Sequence, residues 1–127
     1  MIDTVLTPKA PAPGGHYSQA VAANGFVFVA GQLPFTVDPP GQIPAGIEAQ
    51  TRQALENVRQ VLEAAGSGLD RLVSVTVFVT DMADWPEVNR VYADVLGAHR
   101  PARAVAVSPQ LHHGCLVEIL ATALAGR

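Results

Sequence analysis

Arg103 is the side chain of this sequence best suited to hold a small anion. It follows Arg100-Pro101-Ala102 and opens an extended stretch that runs to Val107. A guanidinium group presents a planar fork of N–H donors, which matches the two oxygens of a carboxylate. The pattern alone also fits an arginine in a structural ion pair, and without further information it favours that interpretation.

Few other groups could move protons or bind metal. The adjacent His112 and His113 could supply a proton near neutral pH, but exposed loop histidines more often have no role, and we expect none here or for His16. No third ligand follows at a recognisable spacing, so no metal site is predicted. Cys115 is the single cysteine, which excludes an internal disulfide, and we expect a small buried apolar side chain rather than a nucleophile.

Length and charge exclude several classes of partner. The 127 residues suit one domain, 1–127. Formal net charge is −3 and the eight lysines and arginines are scattered, so we expect no nucleic-acid surface. Residues 1–9 lack the pattern of a secretory signal, and no apolar run approaches the roughly 20 residues that span a bilayer. We therefore expect a soluble, cytoplasmic protein with no membrane partner.

Hydrophobic periodicity predicts elements in the order β-β-α-β-α-β-β. After an irregular Pro- and Gly-rich segment at 7–15, the Asn24-Gly25 turn predicts a hairpin. Helical spacing and period-two alternation give the rest. The predicted strands are 16–21, 26–30, 72–80, 103–107 and 115–123, and the predicted helices are 46–65 and 85–96.

Two helices can cover only one face of a sheet of four or five strands. On the strand at 72–80 we expect the alternate valines, Val73 to Val79, on one face. The open face is expected to carry large apolar side chains among small polar ones: Leu72, Phe78, Leu116, Leu120 and Leu124. Because water would contact this face, and only 15% of the residues are charged, we predict self-association.

Seven short segments form a recognisable set. They are Tyr17-Ser18-Gln19-Ala20-Val21, Ala30-Gly31-Gln32-Leu33-Pro34, Gln50-Thr51-Arg52-Gln53-Ala54-Leu55-Glu56-Asn57-Val58, Val75-Thr76-Val77-Phe78-Val79-Thr80-Asp81, Val88-Asn89-Arg90-Val91-Tyr92, Arg100-Pro101-Ala102-Arg103-Ala104 and Val117-Glu118-Ile119. In order and spacing the set resembles the Rid/YjgF family (reactive intermediate deaminases, also called the L-PSP endoribonuclease family). Each segment is weak alone, but seven in register over nearly the whole chain are specific.

The resemblance implies a chorismate-mutase-like α+β fold and a homotrimer with a pocket at each subunit boundary. It implies hydrolysis of imines and enamines, such as 2-iminopropanoate and 2-aminoacrylate, to 2-keto acids and ammonia, without a metal or organic cofactor. Arg103 matches the carboxylate-binding position, and Tyr17 a tyrosine whose hydroxyl reaches substrate or water. Gly31 and Asn89 match pocket-lining residues. Interface packing for Tyr17, a strand end for Gly31 and local capping for Asn89 remain alternatives.

Two departures from the family pattern bear on catalysis. The deaminating members are expected to carry a water-holding glutamate two positions after the one in Val-Glu-Ile, where this chain has Leu120. We expect Glu118 itself, about 6.6 Å away along the strand, to be a structural carboxylate with backbone partners. Val105 stands where the family often has cysteine, which predicts a more apolar pocket lined in part by Leu120.

Three functions follow from these observations. The first is an enzyme that hydrolyses 2-imino acids with Arg103 and Tyr17 as its catalytic residues. The second is a family member that binds a small 2-imino or 2-keto carboxylic acid without catalysis, which Leu120 would explain. The third, an endoribonuclease or translation inhibitor, rests on the older family name, and the acidic net charge argues against it.

Overall fold

A computed structural model describes residues 1–126 of the chain. Its strands are β1 (Asp3–Val5), β2 (Ala20–Ala23), β3 (Phe26–Gln32), β4 (Leu72–Val79), β5 (Ala102–Val107) and β6 (Val117–Leu124), and its helices are α1 (Ile47–Ala64) and α2 (Trp85–Leu96). The strands form one sheet in the order β1-β2-β3-β6-β4-β5, in which only β4 and β5 run parallel. Both helices pack on the same face, so the predicted α+β arrangement is confirmed.

The sheet has one strand more than predicted. Strand β1 pairs antiparallel with β2 through three residue pairs, Asp3 with Ala22 to Val5 with Ala20. Three residues are too few to show a period of two, and two of them are exposed, so neither alternation nor an apolar run marked the strand. The observed order is therefore β-β-β-α-β-α-β-β.

The predicted hairpin is confirmed at its turn. Asn24 and Gly25 both have positive φ, 53° and 86°. A two-residue turn of this kind matches the right-handed twist of its strands, and asparagine followed by glycine adopts it at little cost. Strands β2 and β3 pair in register on either side, from Ala23 with Phe26 to Ala20 with Val29.

The core lies between the sheet and the two helices. Strand β6 alternates cleanly: Val117, Ile119, Ala121 and Ala123 are buried, and the residues between them are half-buried or exposed. Helix α1 covers this strand with Leu55, Val58, Val61 and Leu62, and α2 adds Val88 and Val91. This alternation sends Glu118, Leu120, Thr122 and Leu124 to the opposite, uncovered face.

Strand β4 differs from its predicted alternation at its first residues. An irregularity in the pairing with β6 between Leu72 and Ser74 shifts the register there. Leu72 is consequently buried in the core, and Val73 is 40% exposed, so the prediction was wrong for both. From Val75 onward the alternation holds as predicted. A bulge of one residue reverses the direction of every side chain beyond it, and period counting cannot locate it.

The uncovered face carries a broad set of apolar side chains. Phe28, Leu120 and Leu124 are exposed there at 45%, 42% and 39%, and Phe78 is half-buried. A contiguous apolar surface of this kind is unusual for a monomer. Neither helix within residues 1–126 is both long and apolar enough to cross a membrane.

Buried polar side chains tie the loops to this framework. On α1, Gln50 donates to the carbonyl of Pro44 and accepts from the amide of Leu116, just before β6. Asn57 donates to the carbonyls of Leu33 and Phe35, which fixes the loop after β3. Gln19 accepts from the amide of Thr7 at 2.7 Å and donates to the carbonyls of Thr7 and Pro11. These contacts, and not regular structure, hold the irregular N-terminal segment.

Replacing Gln19 by leucine should lower the free energy of unfolding by about 3 kcal/mol, because the buried amide of Thr7 and two carbonyls lose their partner. Chemical denaturation at fixed protein concentration measures this. Gln110→Leu is the matched control, since Gln110 is exposed and the change should stay within about 0.5 kcal/mol. Equal effects in the two variants would show that the Gln19 contacts contribute nothing particular.

Candidate active site

Arg103 lies near the start of β5, on the face that carries the helices. It pairs in parallel register with Val75, a core residue, so the two side chains share that face. Its guanidinium carbon lies 4.7 Å from the ring centre of Trp85 and 4.8 Å from that of Tyr92. One of its nitrogens donates to Oδ1 of Asn89 at 2.9 Å. Two aromatic faces and one amide therefore orient the guanidinium.

No carboxylate of residues 1–126 forms an ion pair with Arg103, although the arginines on α1 and α2 at positions 52, 59 and 90 are all paired. The structural ion pair considered from the sequence therefore does not form among the described residues. Arg103 remains exposed and retains free N–H donors. It lines a cavity of about 420 Å³, here called the Arg103 cavity, together with Asn89, Tyr92 and Arg100.

Tyr92 adds a feature to this cavity that the sequence did not indicate. The side chain is 7% exposed, and its hydroxyl has no hydrogen-bond partner among the described residues. Burial raises the pKa of this phenol, and the nearby Arg103 opposes that rise. A buried hydroxyl is expected to have a partner, and Tyr92 has none within residues 1–126.

A second cavity, here called the Tyr17 cavity, has a volume of about 340 Å³. It is lined by Tyr17, Gly31, Phe35, His112 and His113, among others. Tyr17 is 53% exposed, and its hydroxyl accepts a hydrogen bond from the amide of Gly14 at 3.2 Å. Its own proton is therefore free to be donated. The structure brings Tyr17 and Gly31 together, as the pocket hypothesis requires.

Gly31 faces the uncovered side of the sheet because of a bulge in β3. Val29 pairs with Ala121 and Gln32 pairs with Ile119, so β3 contains one residue more than β6 between these two pairs. Gln32 consequently turns to the buried side, and Gly31 turns towards Glu118. A Cβ placed on Gly31 would lie 2.6 Å from Oε2 of Glu118, so the glycine makes room for that carboxylate.

Glu118 has no hydrogen-bond or ion-pair partner within residues 1–126, although its side chain is half-buried. The prediction of a structural carboxylate with backbone partners is therefore wrong. Burial raises the pKa of the carboxyl group, and the charge of His112 partly offsets this. A half-buried carboxylate beside a cavity, with a raised pKa and no structural partner, has the properties of a general acid or base.

The remaining predicted positions lie apart from these groups. Leu120 is 42% exposed on the uncovered face, two residues after Glu118 on β6. It lines neither the Tyr17 cavity nor the Arg103 cavity. Val105 packs against the core below Arg103. Cys115 is buried as predicted, and burial raises the pKa of its thiol. Within residues 1–126 no cluster of three or more His, Cys, Asp or Glu side chains could hold a metal ion.

A single chain cannot bring both the Arg103 guanidinium and the Glu118 carboxylate, with Gly31 beside it, to one small ligand. Gly31 and Glu118 belong to β3 and β6, whereas Arg103 belongs to β5, three strand positions from β3. At about 4.8 Å per strand this is roughly 14 Å across the sheet. Arg103 also lies on the helix face, opposite Glu118. The chain thus carries two half-sites, the Arg103 half-site and the Glu118 half-site with Tyr17 and Gly31.

A family profile described as endoribonuclease L-PSP matches residues 7–125. The chain belongs to this family, the Rid/YjgF family. A RutC family protein of Pyrococcus horikoshii is 45% identical over 125 residues, which cover 97% of this chain and 98% of that protein. The 2-iminobutanoate/2-iminopropanoate deaminase of Mus musculus is 36% identical over 122 residues, covering 96% and 90%.

The Rid/YjgF assignment extends to the three-dimensional structure. The crystal structure of Escherichia coli TdcF with bound serine superposes with a TM-score of 0.93 at 33% identity, covering 98% of this chain and 99% of that one. Two helices on a mixed sheet are therefore the fold that this chain shares with that Rid/YjgF structure. The bulge at Gly31 and the position of Arg103 on the edge strand lie within the matched region.

Replacing Glu118 by glutamine should stabilise this Rid/YjgF chain at neutral pH. Because the folded-state pKa of Glu118 is raised, its ionisation opposes folding above the ordinary pKa of a glutamate, and this penalty disappears in acid. Free energies of unfolding at pH 7 and pH 4 should show a gain for Glu118→Gln only at pH 7. Glu63→Gln, which removes an exposed ion pair with Arg59, should give no gain. A Glu118→Gln variant that is less stable at pH 7 would contradict the assignment of an unpartnered carboxylate.

Proposed function

We propose that this protein hydrolyses 2-imino acids and their enamines to 2-keto acids and ammonia, in a site completed by a second copy of the chain. The observation that carries the proposal is the unpartnered Glu118 carboxylate beside Gly31. Membership of the Rid/YjgF family and the deaminase name of the mouse relative support it.

A second copy is required because the two half-sites contact different ends of one small molecule. In a 2-imino acid the carboxylate is bonded directly to the imine carbon, so the groups that bind them must lie within a few ångströms. The free edge of β5 and the apolar open face give the chain surfaces through which copies can associate. We propose a homotrimer in which Arg103 of one subunit reaches the Glu118 half-site of the next.

In this site Arg103 would bind the substrate carboxylate, with Asn89 and the aromatic rings orienting its fork. Tyr17 can donate its hydroxyl proton to the substrate or to water, and the backbone of Gly31 allows close approach. Glu118 would hold a water molecule against the imine carbon and accept its proton, a role that its raised pKa favours. No metal or organic cofactor enters this scheme.

Position 120 bears on the alternative of binding without catalysis. That alternative depended on Leu120 in place of a glutamate, but Leu120 lines neither the Tyr17 cavity nor the Arg103 cavity. Glu118 lies against Gly31 of the Tyr17 cavity and lines a further cavity together with His112. A carboxylate at 118 is therefore able to do what was expected of position 120. The single cysteine fits a reducing compartment, and we place the protein in the cytoplasm.

The test is a coupled assay in which an amino-acid oxidase generates 2-imino acids and semicarbazide traps those that survive. We expect the protein to suppress semicarbazone formation, and Glu118→Gln to lower the rate constant about hundredfold. Leu120→Glu is the matched variant on the same strand face, and it should bring no gain. An undiminished rate in Glu118→Gln, or a gain in Leu120→Glu, would show that Glu118 is not the residue that holds the water.

Arg103→Ala should weaken binding of a 2-keto acid about hundredfold, because the carboxylate loses its bidentate partner. Isothermal titration measures the affinity, and sedimentation should show an unchanged oligomer. Arg90→Ala serves as control, since Arg90 lies next to Asn89 but pairs with Glu48 and Glu87. Should carboxylates bind through Arg103 while no imine is consumed, the binding protein becomes the better description.

Gly31→Ala should lower the rate about tenfold or more, because the added methyl group displaces the Glu118 carboxylate from its position. The backbone at Gly31 has no positive φ, so the folding stability should change little. Thermal unfolding and the imine assay, made on the same preparation, separate these effects. A fully active Gly31→Ala protein would mean that the position of Glu118 is not critical.

A further inference from the structure

The turn that precedes β6 has an unusual backbone. Residues His112–Gly114 form a single 3-10 turn in which His113 has φ 59° and ψ 24°, and Gly114 follows with φ 72°. Left-handed geometry is uncommon for any residue but glycine, and such strain persists where the surroundings impose it, often at functional sites. The turn places two exposed imidazole rings next to each other, with ring centres 6.2 Å apart.

The two rings have different surroundings. His113 packs its ring edge-on against Phe35 at 5.4 Å, and Phe35 is itself fixed by the bond from Asn57 to its carbonyl. His113 therefore has an aromatic packing role. His112 has no such contact with Phe35, and its charge is the one that acts on the Glu118 carboxylate.

His112 also lies where two cavities meet. It lines the Tyr17 cavity, and it lines a cavity of about 660 Å³ that includes Glu118. A substrate beside Gly31 would therefore have Glu118 and His112 on its borders. Both cavities are large enough for water. Because no hydrogen bond or ion pair joins His112 to Glu118, a proton would pass between the two groups through water.

Few other titratable groups surround Glu118. The turn contributes His112 and His113, the segment after it contributes the Cys115 thiol, and the N-terminal segment contributes Tyr17. The neighbouring strands present only uncharged residues to it, Gly31 on β3 and Phe78 on β4. His113 lines the same two cavities, but its ring packs against Phe35, so His112 is the imidazole around Glu118 that is left for proton transfer.

We infer that His112 is a second proton-transfer group of the site, which protonates the departing nitrogen while Glu118 activates the water. This inference rests on the proposed imine hydrolysis. It revises the expectation from the sequence that His112 has no role, because a loop histidine acquires one when the fold places it beside a carboxylate and a substrate cavity.

The oxygen of water bonds to the carbon of the protonated imine, the C=N π pair moves to nitrogen, and the proton lost by water goes to Glu118. The imidazolium of His112 then protonates the amino nitrogen of the carbinolamine. The C–N bond breaks with its pair on nitrogen, a C=O bond forms, and the hydroxyl proton returns to His112. Ammonia leaves with the proton from Glu118, as ammonium.

The first test compares His112→Gln with the wild-type protein in the imine assay across a range of pH. We expect the rate of the variant to be about tenfold lower in mildly acidic solution, and the ratio of variant to wild-type rate to approach one as the pH rises, because only a protonated group can donate to the departing nitrogen. The ratio of the variant rate to the wild-type rate at each pH cancels the effect of substrate protonation, which is the same for both proteins. His113→Gln is the matched control, and any loss it shows should be independent of pH. A pH-independent loss in His112→Gln would show a structural role and overturn the inference.

The second test does not depend on activity. Carbon-13 NMR follows the carboxyl titration of Glu118, assigned among the five glutamates by the signal missing in Glu118→Gln. Removing the positive charge in His112→Gln should raise the pKa of Glu118, and His113→Gln should move it less. An unchanged titration would overturn the inference even if imine hydrolysis is real. A wild-type protein that consumes no imine, with the titration shifted as expected, would instead reject the proposed function and this catalytic role with it.

Discussion

Burial of alternate residues of β6 under α1 is the constraint on which the rest of the molecule depends. Val117, Ile119, Ala121 and Ala123 fill the centre of the core, between β3 and β4. Successive side chains of a strand point to opposite faces, so the residues between these four must point to the uncovered face. Glu118 must face the open side, and a slip of one residue would place its charge in the core. The catalytic candidate is therefore positioned by apolar packing on the other side of the sheet.

The same arrangement explains why the molecule has two half-sites. Helices on one face leave the other face to carry Phe28, Leu120 and Leu124 in water, which favours association of copies. The edge strand β5 ends the sheet with Arg103 held by Trp85 and Tyr92. A subunit that lacks a neighbour thus has exposed apolar surface, an unpaired arginine and an unpaired carboxylate at once. Assembly that brings Arg103 of one copy to Glu118 of another would cover the apolar surface and place the arginine next to the carboxylate.

The sequence predicts those parts of this structure that follow from periodicity or turn chemistry. Both helices, the hairpin at Asn24-Gly25 and the strand character of β4, β5 and β6 belong to this class. Departures of a single residue do not: the irregularity after Leu72 and the bulge before Gln32 each reverse side-chain direction without a sequence signal. The second of these turns Gly31 towards Glu118. Motif matching could name Arg103, Tyr17, Gly31 and Asn89, but it could not separate them into two groups on opposite faces, nor show that Glu118 lacks a partner.

Two polar groups without a partner among residues 1–126, and one left-handed residue, lie beside the cavities of this chain. Glu118 is a half-buried carboxylate without a donor, and Tyr92 has a buried hydroxyl without a partner among the described residues. His113 adopts a left-handed backbone that a glycine would adopt more easily. Elsewhere the buried polar groups Gln19, Gln50 and Asn57 are fully engaged, so the fold is able to satisfy such groups. Natural proteins retain unsatisfied or strained groups chiefly at functional sites. Glu118, Tyr92 and His113 border the cavities described above, whereas the Nε of Arg71, which also has no partner among the described residues, and the left-handed Asn24 of the hairpin turn do not. The motif matches to Arg103 and Gly31 were made without these observations, and both lines of argument lead to the same cavities.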